Sequence, residues 1–160
     1  IMLSVFVSYV AFIWIRYGIQ KSISDSFYRL IEDPKVPNVI GQSLFTFFCW
    51  GFAFPAIILG ANFGSFLIPL AGGLICMVGV ATAFKLKFEG ILHTIAAIGG
   101  ILLSQISIIF EFHNMYYVTI LLAVYCLLIV IYKVQNKVFW IEIGSFLSIC
   151  YLLGYQLYIL

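Results

Sequence analysis

Apolar residues run through this chain in long blocks separated by short polar stretches, and the blocks have the length of membrane-crossing helices. A span needs about 20 mainly apolar residues. Six such runs can be marked, over about 1–17, 43–60, 66–84, 90–110, 115–132 and 138–160. Only "GANFGS", Gly60–Ser65, separates the second run from the third, and Gly and Asn are the residues a tight turn uses. The first run has no charged residues before it and no small-residue cleavage site after it, so it reads as a retained span rather than a signal peptide. The chain opens on Ile, so residues upstream are expected.

The one long polar stretch is "KSISDSFYRLIEDPK", Lys21 to Lys35. Its pattern predicts a short interfacial helix over about 24–33. Ser22 or Ser24 would cap it, with Asp25 at its positive end. Phe27, Leu30 and Ile31 share one face at i, i+3 and i+4, and Pro34 ends the helix. The pattern as a whole predicts an all-α polytopic transmembrane helical bundle, one domain over 1–160.

Charge then orients the bundle. Arg16, Lys21, Arg29 and Lys35 lie between runs one and two, Lys85 and Lys87 between three and four, and Lys133 and Lys137 between five and six. These are all eight basic residues of the chain. With six spans, all three connections fall on one side, which the positive-inside bias assigns to the cytoplasm. The loops 18–42, 85–89 and 133–137 are therefore expected in the cytoplasm, both termini on the opposite side, and the protein in a bacterial inner membrane.

Composition excludes the other broad classes. The chain is 64% hydrophobic, 18% aromatic and only 9% charged, against roughly 25% charged in soluble domains. A net charge of +2 with no basic, aromatic-interleaved patch gives no basis for nucleic-acid binding. The four cysteines stand singly in apolar runs, as small hydrophobes do, with no metal or disulfide spacing. His93 and His113 lie at opposite ends of the fourth run, about 30 Å apart at 1.5 Å per residue, so one metal cannot use both. No metal and no cofactor is expected.

Small residues let helices approach closely in lipid. Ala96, Gly100 and Ser104 repeat every four residues on run four, Gly79 and Ala83 do so on run three, and Gly144 and Ser148 on run six. Runs three, four and six are expected to pack together. No internal repeat links the two halves of the chain.

Ionisable groups inside a bilayer are costly and point to function. Glu142 and His93 each lie about one turn into a run from the cytoplasmic end, and Ser24, Asp25 and Tyr28 belong to the polar segment on that side. These five form the candidate polar or ligand site, able to bind a lipid headgroup, an ion or a proton, or to serve structure alone. A Ser–His hydrolase needs Ser24 or Ser22 within reach of His93, and no GxSxG elbow is present.

The elements Ile23–Ser24–Asp25–Ser26–Phe27–Tyr28, then Ala81, Ala83, Phe84 and Lys85, then His93, Ile95 and Ala97 resemble a group of uncharacterised small six-span membrane proteins from Bacteroidetes and their phages. That group carries an I-S-D-[ST]-x-Y element and an A-F-K…H element. The resemblance covers about two-thirds of the chain and implies no activity. More distantly, the I-S-D element and the His opening the fourth span are similar to the DRAM-like six-span membrane proteins. The resemblance nominates Ser24, Asp25, Tyr28 and His93. Three functions are expected in turn: a non-enzymatic membrane module, as an accessory subunit or a lipid- or ion-binding protein, catalysis being none of its work; a small proton-coupled transporter using Asp25, His93 and Glu142; or a membrane-embedded lipid hydrolase. The expected partners are membrane lipids, other membrane subunits or a second copy of the chain.

Overall fold

The computed structural model describes residues 1–80 and 87–159, without the Lys87 side chain. Every regular element among them is helical: α1 (Met2–Tyr17), α2 (Ser26–Glu32), α3 (Asn38–Asn62), α4 (Leu67–Val80), α5 (Lys87–Phe110), α6 (Tyr116–Ile131) and α7 (Lys137–Ile159), with a 3-10 turn at His113–Met115. Four of these stretches are long and apolar enough to cross a membrane, Asn38–Asn62, Phe88–Phe110, His113–Ile131 and Lys137–Ile159. With an exterior of exposed Ile95, Ile98, Leu102, Leu121, Leu127 and Leu157, they make this a membrane protein. The helices α1 and α4 are apolar but shorter. At 16 residues, α1 spans about 24 Å, against roughly 30 Å of hydrocarbon.

Local sequence sets the element ends. Gly18 ends α1 at φ 75 while its N–H donates to Trp14 O at 2.9 Å, and Gly64 takes φ 73 in the turn after α3. That left-handed backbone favours glycine. Pro55 lies inside α3 without ending it.

Two boundaries differ from the sequence expectation. The helix α3 begins at Asn38 rather than near residue 43, because its first turn is packed under α2. A Cβ on Gly41 would lie 3.1 Å from the Leu30 carbonyl, so a larger residue would push the two helices a few tenths of an ångström apart. The interfacial helix begins at Ser26 rather than Ser24, and Asp25 sits at its N-cap with no side-chain capping bond. Neither Ser22 nor Ser24 caps it: Ser22 Oγ accepts from Asp25 N at 3.1 Å, and the Ser24 hydroxyl is engaged elsewhere. The apolar side of α2 lies on the bundle, with Phe27 and Leu30 fully covered.

The core is an aromatic cluster joining α1, α3 and α7. Phe6 stacks on Phe146 at 5.3 Å, Tyr9 on Phe48 at 4.3 Å, and Phe52 meets Phe146 edge-on at 4.6 Å. Each such pair contributes about 0.5–1.5 kcal/mol beyond area burial.

The small residues pack as expected in part. Ala96 and Ser104 are buried on α5, and a Cβ on Gly100 would meet Ile75 of α4 at 2.9 Å. Ser148 accepts from Gln105 Nε2 at 2.8 Å, joining α7 to α5. Gly79, however, faces α3, where a Cβ would lie 2.8 Å from that of Cys49. Gly144 faces Leu122 and Tyr125 of α6. Sequence spacing locates a close-packing face but not its partner. Ala83, like Ala81, Phe84 and Lys85, lies outside the described residues.

Candidate functional site

After α1 the chain runs irregularly from Gly18 to Asp25, and its polar groups are held by the first turns of α5 and α7. Ser24 Oγ lies 2.8 Å from His93 Nε2, two residues 69 positions apart, both buried. The next amide back, Ile23 N–H, donates to Glu142 Oε2 at 2.5 Å. Phe139 N–H donates to Lys21 O at 3.1 Å, and Asn136 Nδ2 to Ile19 O at 3.2 Å. The first amides of a helix have no acceptor within it, and here the irregular segment supplies one to α7.

Below this layer Ser26 continues the network. Its Oγ donates to Ile23 O at 2.5 Å and lies 2.6 Å from Tyr9 OH. A buried hydroxyl without a partner costs about 1–3 kcal/mol, and each of these hydroxyls has one. Ser24 and Glu142 open onto a cavity of about 30 Å³ otherwise walled by Ile23, Phe45, Cys49 and Phe146 among others.

The structure thus divides the five candidate residues. Ser24, His93 and Glu142 converge inside the bundle. Asp25 and Tyr28 face outward instead, onto a separate polar pocket of about 270 Å³ shared with Gln20, Lys21, Arg29 and Glu32. One residue of register separates Ser24 from Asp25, and in the irregular backbone before α2 that step turns the side chain from the core to the surface. On the same side, Asp33 closes the polar segment onto α1. It accepts from Arg16 Nη2 at 2.7 Å, from Tyr17 OH at 2.8 Å and from Lys35 N–H at 2.9 Å. These bonds, the Lys35 amide foremost, hold its carboxyl down at about 2.

A second polar cluster at the opposite end escaped sequence reasoning. Glu111, just past α5, accepts from the hydroxyls of Ser65 and Ser107 and from the amides of Phe66 and Leu67, at 3.0 and 3.1 Å. Ser65 Oγ also accepts from Ile68 N at 3.0 Å. Burial alone would raise the Glu111 pKa, but the four hydrogen bonds outweigh it and the net shift is downward. The arrangement caps α4 from the turn that follows α5. Ser65 just before an apolar run is a legible capping signal, whereas three of the four partners of Glu111 lie 44 to 46 positions away.

A third group, Gln105, Ser148 and Thr119, crosses the bundle. Thr119 Oγ1 donates to Gln105 Oε1 at 3.0 Å and ties α6 to α5. Among the described residues no group of three or more His, Cys, Asp or Glu side chains is placed to hold a metal ion. His113 is exposed in the 3-10 turn, at the end away from His93. No protein-family model, curated protein or solved structure matches the chain, so its function has to be argued from its own residues.

Proposed function

We propose that the chain is a non-enzymatic six-span membrane module, a lipid-binding protein or accessory subunit, in which Ser24, His93 and Glu142 fasten the polar segment across the cytoplasmic end. The carrying observation is the lack of space around them. About 30 Å³ holds two or three waters, at roughly 10–15 Å³ per water on the same measure, and small-molecule sites occupy about 300–1,000 Å³. The Ser24 hydroxyl and one Glu142 oxygen are already bonded within the protein. An aqueous proton path through Glu142 has little support in walls of Phe and Ile.

The charge map, joined to the hydrogen bonds, supports six spans and a cytoplasmic polar segment. Residues 19–24 bond to the starts of α5 and α7, so these lie at one end, and residues 65–67 bond to Glu111 at the other. An up-and-down path of α1, α3, α4, α5, α6 and α7 satisfies both, and it gathers the described lysines and arginines at the first end. Ile1 and Leu157 line one groove, so the termini share the other end. A bacterial inner membrane, with both termini on its outer side, suits this arrangement. The topology is checked with single cysteines on a background lacking the native four. A membrane-impermeant maleimide applied to intact cells is expected to label Asn114→Cys and to spare Lys35→Cys; the reverse pattern inverts the orientation.

The 2.8 Å Ser24–His93 contact favours a second reading, a lipid hydrolase. In it His93 takes the Ser24 proton while the hydroxyl attacks an ester carbonyl, then returns it to the departing alcohol, and water frees the acyl group. A fluorophosphonate probe followed by peptide mass spectrometry separates the two. The module predicts no adduct on Ser24 in the membrane-embedded protein, whereas an adduct abolished by His93→Gln would establish the hydrolase.

A further inference from the structure

We propose that the outward pocket between the end of α1 and α2 binds a phosphate ester carrying a primary ammonium group, the chemistry of a phosphoethanolamine lipid headgroup. Its volume of about 270 Å³ approaches the lower end of small-ligand sites, roughly 300 Å³. Two cations, Lys21 and Arg29, and two carboxylates, Asp25 and Glu32, line it with Gln20 and Tyr28. Glu32 and Tyr28 are engaged within the protein, which leaves Lys21 and Arg29 for an anionic group and Asp25 for a cationic one. A zwitterion satisfies both.

The pocket is built rather than incidental. Gln20 is buried, and its Nε2 donates to the carbonyls of Tyr17 and Gly18 at 2.8 and 3.1 Å. Its Oε1 then accepts from Arg29 Nε at 3.1 Å, which aims the guanidinium. A guanidinium held by Nε still has its terminal N–H groups for a phosphate. Among the described residues, the Asp25 carboxylate and the Lys21 ammonium make no hydrogen bond or ion pair. Arg29 and Lys21 would hold the phosphate, and Asp25 the ammonium. A primary ammonium offers three N–H donors to a carboxylate, and a trimethylated one offers none. The pocket therefore discriminates between ethanolamine and choline lipids.

Access of a lipid rests on the interfacial placement of the polar segment proposed above. Soluble O-phosphoethanolamine carries the same chemistry and reaches the pocket wherever that segment lies.

The test is native mass spectrometry of the purified protein in detergent, with phosphatidylethanolamine, phosphatidylcholine or phosphatidylglycerol of matched chains, and separately with O-phosphoethanolamine. The wild type is expected to retain phosphatidylethanolamine about tenfold over the other two. Asp25→Asn is expected to remove the preference over phosphatidylcholine, and Arg29→Gln to weaken every phosphate ligand. Lys21→Gln, at an exposed position, is expected to weaken them less and guards against misfolding of the other variants. Binding of O-phosphoethanolamine without lipid preference supports the pocket chemistry and overturns the interfacial placement. Equal retention of all three lipids with no binding of O-phosphoethanolamine, or a preference unchanged by Asp25→Asn and Arg29→Gln, overturns the pocket.

Discussion

Replacing Glu111 with alanine is expected to lower the thermal unfolding midpoint of the detergent-purified protein by about 6–12 °C. The carboxylate accepts four hydrogen bonds and is the shared anchor of α4, α5 and the turn before α4. Its loss leaves the Phe66 and Leu67 amides and two hydroxyls short of an acceptor at a helix start. Hydrogen bonds to a charged group contribute about 1.5–3 kcal/mol each, and part is regained when the exposed donors meet water. A net loss of about 3 kcal/mol converts at roughly 2–4 °C per kcal/mol for a chain of this size. Glu111→Gln keeps an acceptor and is expected to fall between. The same bonds impose a pH signature. Because the folded pKa is lowered, the contribution is present above the unfolded value and is lost as pH falls through the folded one. The gap between wild type and Glu111→Ala should therefore close on acidification. A midpoint for Glu111→Ala within 1–2 °C of wild type, about the effect of an ordinary surface change, would refute the cap.

The second large effect is expected at His93. Truncation to alanine removes the partner of a buried Ser24 hydroxyl and leaves a void beside the small cavity that Ser24 and Glu142 line. The lost bond and the void together are expected to cost about 2–4 kcal/mol, read as a shift of the unfolding midpoint in detergent. The informative comparison is the double change. If Ser24 and His93 act as one contact, Ser24→Ala on top of His93→Ala should add about 1 kcal/mol less than it costs alone. Strict additivity of the two single changes would show that the contact contributes nothing to stability.

How much of this was legible in the sequence depends on how far apart the interacting groups are. The apolar blocks and the polar segment are local patterns, and the helices largely follow them. The meeting of Ser24 with His93 was open to inference because the charge map puts both at one end of the bundle. The Asp25 side chain was not placed correctly by that argument. An end-of-bundle assignment cannot tell an inward from an outward side chain in irregular backbone, and Asp25 faces the surface pocket. The early start of α3 depends on the Gly41 approach to Leu30, a tertiary contact that local polarity does not encode. Glu111 carries no local signal, because three of its four donors come from a turn more than forty residues earlier. Gly144 and Gly79 show the same limit: small residues advertise a close approach without naming the neighbour.

The bond between Ile23 and Glu142 joins residues 119 positions apart. During synthesis α1 and the polar segment must therefore wait for α7. Until α7 emerges, Ile23 has no Glu142 to accept its amide, and the Lys21 carbonyl lacks its Phe139 donor. The polar segment is thus made long before it can close. A ribosome that stalls before residue 142 presents an unfinished seam, a mark by which a quality-control protease could tell an incomplete bundle from a complete one.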